Sequence, residues 1–176
     1  KEITPLKQAD SEYVEEMKQS AVCYAAFVKE QAGSCDCDVF IEHRVDYSNA
    51  IGVPDSFGTA DCILLEKGTG IAHIIDFKYG QGLLVNAQNN PQMMLYALGA
   101  LKTYGPIFGD SIKAATLAIV QPNAGGIKSW NVPVEHLRLW GATVVQPAAK
   151  LALAGEGEFC AGDWCRFCPA KAQCSA

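Results

Sequence analysis

The pattern of apolar and polar positions predicts a long amphipathic helix and then a strand at the start of the chain. Between residues 11 and 31, apolar side chains recur at steps of three and four with Glu and Lys between them, and Gly33 follows as a helix-ending residue. Residues 38 to 47 alternate loosely as a strand. This alternation predicts that one face of the strand carries Val39, Ile41, His43 and Val45.

The next part of the pattern predicts a β-hairpin. Two apolar runs, residues 58 to 66 and residues 71 to 78, follow a loop over residues 49 to 57 that contains Gly and Pro. Lys67-Gly68-Thr69-Gly70 separates the two runs, and a short Gly-containing link between two strand-like runs is typical of a hairpin.

The second half of the chain predicts a helix, two strands and a last helix. Asn90 is a suitable N-cap for a helix over residues 91 to 105, because Pro91 then occupies the first helical position. Residues 114 to 121 and 127 to 132 follow as strands, and Pro133 opens a last helix that Pro147 kinks or splits. A run of antiparallel strands followed by a helical crossover predicts an α/β or α+β fold, a mixed sheet flanked by helices.

Composition bounds the class of protein. The 176 residues are 49% apolar, which is typical of one globular domain, or of one domain with a small appendage. A net charge of −5 disfavours a protein that coats nucleic acid without sequence preference. Neither a membrane-spanning run nor a secretory signal is visible, so we expect a cytoplasmic location. The first residue is Lys1 rather than Met, as in a fragment or a trimmed product.

Two aspartates and a lysine carry the clearest chemical signal. Asp61 opens the first strand of the hairpin, and Asp76 and Lys78 end the second. The hairpin would bring them to one end of the sheet, where carboxylates with room for water suit Mg²⁺. This set suggests metal-assisted hydrolysis of a phosphodiester. The alternative is that the aspartates are turn formers and that Asp76 and Lys78 form a surface ion pair.

Three short motifs resemble the PD-(D/E)XK nuclease superfamily, in its RecB-like branch. They are Gly58-Thr59-Ala60-Asp61, Ile75-Asp76-Phe77-Lys78 and Gln92-Met93-Met94-Leu95-Tyr96-Ala97. The resemblance covers about residues 11 to 174 and is greatest to phage- and prophage-encoded RecB-like nucleases, relatives of AddB-type and CRISPR prespacer-trimming Fe–S exonucleases. It implies a restriction-endonuclease-like fold.

The resemblance also implies which residues bind metal. Asp61, Asp76 and the backbone carbonyl of Phe77 would be ligands of Mg²⁺ or Mn²⁺, and Glu42 on the preceding strand would be an outer acid of the same site. The first helix of such proteins often supplies a further acid. Candidates for it here, with a solvated helix face as the alternative, are Glu12, Glu15 and Glu16.

Three further residues receive catalytic roles from the resemblance. Lys78 would orient and activate the attacking water and help to neutralise the phosphate. Gln92 and Tyr96 match the Gln-x-x-x-Tyr motif of the branch, which supports the lysine and the DNA strand. At a spacing of four residues they lie on the same face of the predicted helix.

A second strong signal is a cluster of cysteines near the end of the chain. Four thiols fall within fifteen residues, at Cys160, Cys165, Cys168 and Cys174. This composition suits either Zn²⁺ or an Fe–S cluster. We therefore divide the chain into a nuclease core, residues 1 to 155, and a cysteine-rich staple on that core, residues 156 to 176.

The resemblance favours a 4Fe–4S cluster in the staple, because the related nucleases carry C-x2-C-x5-C near the C-terminus. In those proteins the fourth ligand lies far upstream. Here Cys160 would take that place, or an upstream cysteine outside this chain. Cys35 and Cys37 are weaker candidates, and Cys23 is expected to be a core residue.

These expectations describe a metal-dependent deoxyribonuclease, acting as an exonuclease on linear or single-stranded DNA ends. Phage or prophage recombination, repair or DNA processing would be its setting, and phage recombination or replication proteins its partners. The alternative is a catalytically inactive nuclease-fold protein that binds DNA or a partner and has a structural Zn or Fe–S site.

Overall fold

The central element of the fold is a mixed five-stranded sheet. The computed structural model describes residues 11–80, 83–108 and 111–175. In spatial as in chain order, the strands are β1 (Cys37–Asp46), β2 (Phe57–Glu66), β3 (Ile71–Phe77), β4 (Ala114–Gln121) and β5 (Gly126–Pro133). β3 and β4 are parallel, whereas the other neighbouring pairs are antiparallel. The predicted mixed sheet and α+β class are confirmed.

Helices cover both faces of this sheet. They are α1 (Ser11–Gly33), α2 (Ser48–Ile51), α3 (Pro91–Phe108), α4 (Val134–Trp140) and α5 (Gln146–Ala154). α3 is the crossover between the parallel strands β3 and β4, as parallel pairing requires. α2 lies in the segment predicted to be a loop, and α3 continues past the predicted end at residue 105 with Pro106 inside it.

The last helix, which Pro147 was predicted to kink or split, changes its pitch just before this residue. α4 runs directly into π-helical turns over Gly141–Val145, which run into α5. Proline has no N–H to donate to the carbonyl four residues earlier, so a regular α-helix through residue 147 would lack one hydrogen bond. The wider π-helical turns lie immediately before this position.

Each face of the sheet has its own apolar core. α3 and α4 cover one face, which we call the α3 face, with a core that includes Ile63, Ile74, Met93, Leu117 and Leu137. α1 covers the α1 face, with a smaller core built from Val28, Cys62, Leu64, Ile75, Ala118 and Val120. Alternate residues of β2, β3 and β4 therefore enter opposite cores, and all of these side chains are buried.

The face predicted for β1 is wrong because the strand changes face at Glu42. Phe40 and Val45 belong to the same core on the α3 face, although they are an odd number of positions apart, five, while Cys37 lies against the core of the α1 face. Glu42 between them has a positive φ of 49°. This irregular backbone shifts the alternation by one residue, so Val39 and Ile41 are exposed and do not share a face with Val45.

Close packing of α3 on β1 depends on Gly99. A Cβ atom at Gly99 would lie 2.8 Å from Cβ of Val45, which is too near for two carbon atoms. Lys102, one turn further along α3, donates a hydrogen bond from Nζ to Oδ2 of Asp46 over 2.6 Å. The absence of a side chain at residue 99 thus sets the distance between helix and strand.

Beyond α5 the chain forms short turns. Gly155 ends the helix in the left-handed conformation, with φ of 69°. Two single 3₁₀ turns follow, over Asp163–Phe167 and Lys171–Gln173. Residues of the first turn line a cleft of about 400 Å³ together with Leu83, so this C-terminal segment lies near the loop after β3. Within the described residues, no helix has the length and apolar character to cross a membrane.

We expect Gly99→Ala to destabilise the protein by about 1–3 kcal/mol, since the added methyl group would force α3 away from Val45. Urea-induced unfolding followed by circular dichroism measures this change. The control is Gly33→Ala at the exposed end of α1, where a Cβ would meet no atom within 4 Å. Its free energy of unfolding should stay within about 0.5 kcal/mol of the original. Equal stability of the two variants would contradict the proposed role of Gly99.

Candidate active site

Strands β2 and β3 separate at the two aspartates predicted to be catalytic. Their regular pairing ends at Cys62 and Ile75, and continuation of the same register would place Asp61 opposite Asp76. β3 continues beside β4 as far as Phe77. The backbone N–H of Phe77 donates to Oδ2 of Asp61 over 2.7 Å, so a carboxylate replaces a ladder carbonyl at this point. The two acids therefore lie on neighbouring strands at one edge of an opening in the sheet.

Asp76 is a buried carboxylate with few partners. It is 2% exposed, and Oδ2 lies 2.8 Å from Nζ of Lys78. No hydrogen bond of regular geometry reaches Oδ2 from the described residues, so its contact with Lys78 is that of an ion pair. Burial raises the pKa of Asp76 above its ordinary value, the negative charge of Asp61 adds to this, and Lys78 opposes it.

Gln92 links the acid and the lysine to α3. Its Oε1 accepts a hydrogen bond from Nζ of Lys78 over 3.1 Å, and its Nε2 donates to Oη of Tyr96 over 2.9 Å and to Oδ1 of Asp76 over 3.4 Å. The amide oxygen faces the cation and the amide nitrogen faces the acceptors, so these neighbours fix the orientation of the amide. The predicted Gln-x-x-x-Tyr pair does lie beside the aspartate and the lysine.

The glycine of the first motif has a steric role. A Cβ at Gly58 would lie 2.4 Å from Cε1 of Tyr96, so the ring of Tyr96 lies directly on the backbone of β2 at this residue. Only glycine leaves room for this contact. Three residues later the same strand carries Asp61, and thus Gly58 fixes Tyr96 relative to the acids.

A polar residue that sequence reasoning missed fixes the loop after Lys78. Gln121 at the end of β4 is 3% exposed. Its Nε2 donates to the carbonyls of Gly80 and Leu83 over 3.0 and 2.8 Å, and its Oε1 accepts from the N–H of Val85 over 3.0 Å. A glutamine that closes an otherwise apolar strand was the available signal. The loop is thereby held next to the aspartates.

Glu42 and the first helix contribute less directly than predicted. In the register of β1 and β2, Glu42 falls opposite Asp61, but its side chain is exposed. Glu15 is also exposed, in an ion pair with Lys18, and Glu16 is half-buried. The side chain of Glu12 lies outside the described residues. On α1, the ring of Tyr24 contacts the ring of Phe77 beside the acids. Burial raises the pKa of Tyr24, and the neighbouring acidic groups of Cys62, Asp61, Asp76 and Glu42 add to this.

The four C-terminal cysteines lie in the segment of short turns. Cys160, Cys168 and Cys174 are exposed, and Cys165 is half-buried, where its Sγ accepts from the N–H of Gly162 over 3.3 Å. Among the described residues, no three His, Cys, Asp or Glu side chains converge as a metal-binding group. The cysteine-rich staple therefore stays a prediction that rests on donor chemistry.

The weaker cysteine candidates lie elsewhere. Cys35 donates from Sγ to the carbonyl of Gln31 over 3.3 Å, and Cys37 begins β1 opposite Glu66. This is the far end of the sheet from the loop that the C-terminal segment contacts. Burial is the main reason that the pKa of Cys35 is raised to about 12, so this thiol keeps its proton at neutral pH.

The residues at the opening fit a hard divalent cation by their chemistry. Asp76 has a buried oxygen that pairs with an ammonium and receives no hydrogen bond within the part of the chain that the structure describes, and Asp61 supplies a second carboxylate from the adjoining strand. Phe77 lies between Asp76 and Lys78 and would offer its carbonyl oxygen. Oxygen donors of this kind are the usual ligands of Mg²⁺.

Comparisons with known proteins give a family but no activity. A solved structure titled "Crystal structure of SSO0001" aligns with 93% of this chain and 79% of its own, at 16% sequence identity and a TM-score of 0.43, which is too low to support an argument. A family model described as "Protein of unknown function (DUF2800)" matches residues 1–176. The chain therefore belongs to the DUF2800 family.

Proposed function

We propose that this protein is a metal-dependent DNA nuclease of the RecB-like branch of the PD-(D/E)XK superfamily. One observation carries the proposal: β2 and β3 separate at Asp61 and Asp76, the next residues in the register of the two strands, and Lys78 is held beside Asp76 by Gln92. Two carboxylates and an ammonium at an opening in a sheet are suited to phosphodiester hydrolysis. The mixed sheet with flanking helices agrees with such a fold.

Asp61, Asp76 and the carbonyl of Phe77 would hold Mg²⁺ or Mn²⁺, with Glu42 as an outer acid. Such an ion, when bound, lowers the pKa of water and stabilises the negative charge that develops on the phosphate. Asp61 is held in place by the N–H of Phe77 over 2.7 Å, and Asp76 by Lys78 and Gln92. Both acids are therefore oriented before substrate arrives, which favours catalysis.

Lys78 would position water and bind the phosphate. A lysine ammonium has three N–H donors; Gln92 accepts one of them over 3.1 Å, and Asp76 forms an ion pair with the ammonium at 2.8 Å. A further donor would serve an oxygen of water or phosphate. The ring of Tyr96 packs on the backbone of Gly58, and the hydroxyl of Tyr96 accepts a hydrogen bond from Gln92. These contacts hold Lys78 and Asp76 next to α3.

The proposed substrate is DNA with free ends, in a cytoplasmic setting of phage or prophage DNA processing. A net charge of −5 means that the affinity for DNA would come from local contacts and the bound cation rather than from a basic surface. The proposed phage recombination or replication partners would then help to bring the nuclease to its substrate.

We expect Asp76→Asn to lower the rate of Mn²⁺-dependent cleavage of end-labelled linear DNA by about 100-fold or more, because a charge that stabilises the reaction is lost. Time courses with Mn²⁺, and with EDTA as the metal-free condition, measure this rate on double- and single-stranded DNA. Asp38→Asn is the matched control, since Asp38 also lies in the sheet and pairs with a lysine, Lys67 over 3.0 Å, but at the opposite end.

This control variant should cleave as the original protein does. Two results would contradict the proposed function: equal cleavage by Asp76→Asn and the original protein, or no metal-dependent cleavage by the original protein on either substrate. DNA binding without cleavage would instead support the nuclease-fold binding protein.

We expect Lys78→Ala to separate binding of metal from cleavage. Cleavage should fall by about 100-fold or more, since a group that positions water and phosphate is lost. Mn²⁺ affinity, measured by isothermal titration calorimetry, should stay the same or increase, because the ammonium near Asp76 that competes with the ion is gone. Lys67→Ala, which removes a lysine paired with Asp36 and Asp38, serves as the control for both readouts. Loss of Mn²⁺ binding in Lys78→Ala would argue against this division of roles.

We also propose that Cys160, Cys165, Cys168 and Cys174 hold a 4Fe–4S cluster, with Zn²⁺ as the alternative. Three of the four thiols are exposed, and exposed thiols without a ligand are prone to oxidation. Four thiolates are the usual ligand set for either metal centre.

Protein purified without oxygen should therefore contain iron and absorb visible light through thiolate–iron bands, or contain one zinc ion without colour. Elemental analysis and absorption spectra decide between the two. Cys168→Ser should lose metal, whereas Cys23→Ser on α1 should keep it. Protein with neither metal would refute the staple, and it would leave the proposed nuclease site unaffected.

A further inference from the structure

Tyr24 of α1 has a buried hydroxyl group for which the described residues supply no hydrogen-bond partner. Its ring contacts the ring of Phe77, with centroids 5.2 Å apart and planes inclined at 41°. Phe77 in turn donates its N–H to Asp61 and lies between Asp76 and Lys78 in the sequence. Tyr24 is therefore in direct contact with the residue that joins the two acids.

Its ring contact with Phe77 places Tyr24 beside the end of β3, next to the opening between β2 and β3. Burial is the first cause of its raised pKa, and the neighbouring acidic groups of Cys62, Asp61, Asp76 and Glu42 add to it. Charges act more strongly through a protein interior than through water. Three carboxylates thus act on one phenol from β1, β2 and β3. At neutral pH the phenol keeps its proton and can donate a hydrogen bond.

A buried hydroxyl without a partner is unfavourable, typically by about 1–3 kcal/mol. Tyr104 on α3 also has such a hydroxyl, but in different surroundings. Its ring lies against Phe40 and His43, at 4.4 and 5.6 Å between centroids, and burial alone raises its pKa. Of these two tyrosines, Tyr24 is the one whose hydroxyl is influenced by carboxylates. A buried hydroxyl without a partner is therefore linked to the candidate site at Tyr24 but not at Tyr104.

We propose that Tyr24 is a positioning residue of the candidate active site, whose hydroxyl donates a hydrogen bond to a water molecule held between it, Asp61 and Asp76 when a divalent cation is bound. This inference rests on the proposed function, because it assumes that the two aspartates hold Mg²⁺ or Mn²⁺. The water would satisfy the buried hydroxyl and stabilise the hydrated cation. Tyr24 does not touch the phosphate in this role.

The test compares Tyr24→Phe with Tyr104→Phe in the full chain. Both changes remove one buried hydroxyl and keep the ring, so both metal-free variants should unfold at the same temperature as the original protein or slightly above it. Mn²⁺ affinity by calorimetry should fall about 10-fold in Tyr24→Phe, as expected for a group that supports metal ligands, and should not change in Tyr104→Phe. DNA cleavage at limiting Mn²⁺ should follow the same order.

Several results would contradict the proposed role of Tyr24. Unchanged Mn²⁺ affinity in Tyr24→Phe would overturn the role of Tyr24 while cleavage by the original protein still supported the proposed function. An equal loss of affinity in Tyr104→Phe, or strong destabilisation of metal-free Tyr24→Phe, would show that the hydroxyls serve packing and would also overturn it. An original protein that neither binds Mn²⁺ nor cleaves DNA would refute the proposed function and this inference together.

Discussion

The hydrogen bond from the N–H of Phe77 to the carboxylate of Asp61 is the contact on which the candidate site depends. Buried backbone N–H groups need a partner, and β2 would normally supply it with a carbonyl. Because Asp61 takes this place, β3 stays satisfied although the part of β2 before Cys62 is out of regular pairing with β3. An opening then forms in the interior of a five-stranded sheet without leaving this N–H group unpaired. The acid at the opening is also one of the predicted metal ligands, so the local fold and the proposed chemistry share one interaction.

Contacts between α3 and the sheet complete the site in the same way. Gln92 joins Asp76, Lys78 and Tyr96, and Tyr96 lies on the backbone of Gly58. Two glycines set these approaches, Gly58 for the ring of Tyr96 and Gly99 for the side chain of Val45. α3 is also the crossover that makes β3 and β4 parallel, so its position follows from the topology of the sheet. Small changes in how α3 packs would therefore displace Gln92 from the aspartate and the lysine.

The sequence was sufficient for the features that depend on local pattern. The hairpin, the crossover helix and the placing of Asp61, Asp76 and Lys78 at one end of the sheet follow from two apolar runs, the glycine-containing link between them and the helix-start signal at Asn90 and Pro91. The change of face in β1 was not predictable, because it depends on a positive φ at Glu42, which is not a glycine. Tyr24 fitted the apolar stripe of α1, but periodicity does not predict where its hydroxyl group lies. The cysteine staple rests on composition, which specifies donors but not their convergence.

The charges at the opening between β2 and β3 support the proposed binding of a divalent cation. Asp61, Asp76 and Glu42 all act on the Tyr24 hydroxyl, whereas Lys78 is the cation paired with Asp76. Asp61 and Asp76 at the opening outnumber the ammonium of Lys78, and for the buried Asp76 this excess of negative charge is costly because water does not screen it. Burial raises its pKa, which is the response of a carboxylate that lacks sufficient positive charge nearby. A divalent ion would balance the excess and, by binding only the folded chain, would stabilise the fold as well. On this argument the ion that the proposed chemistry requires is also the one that the charges of the folded protein favour.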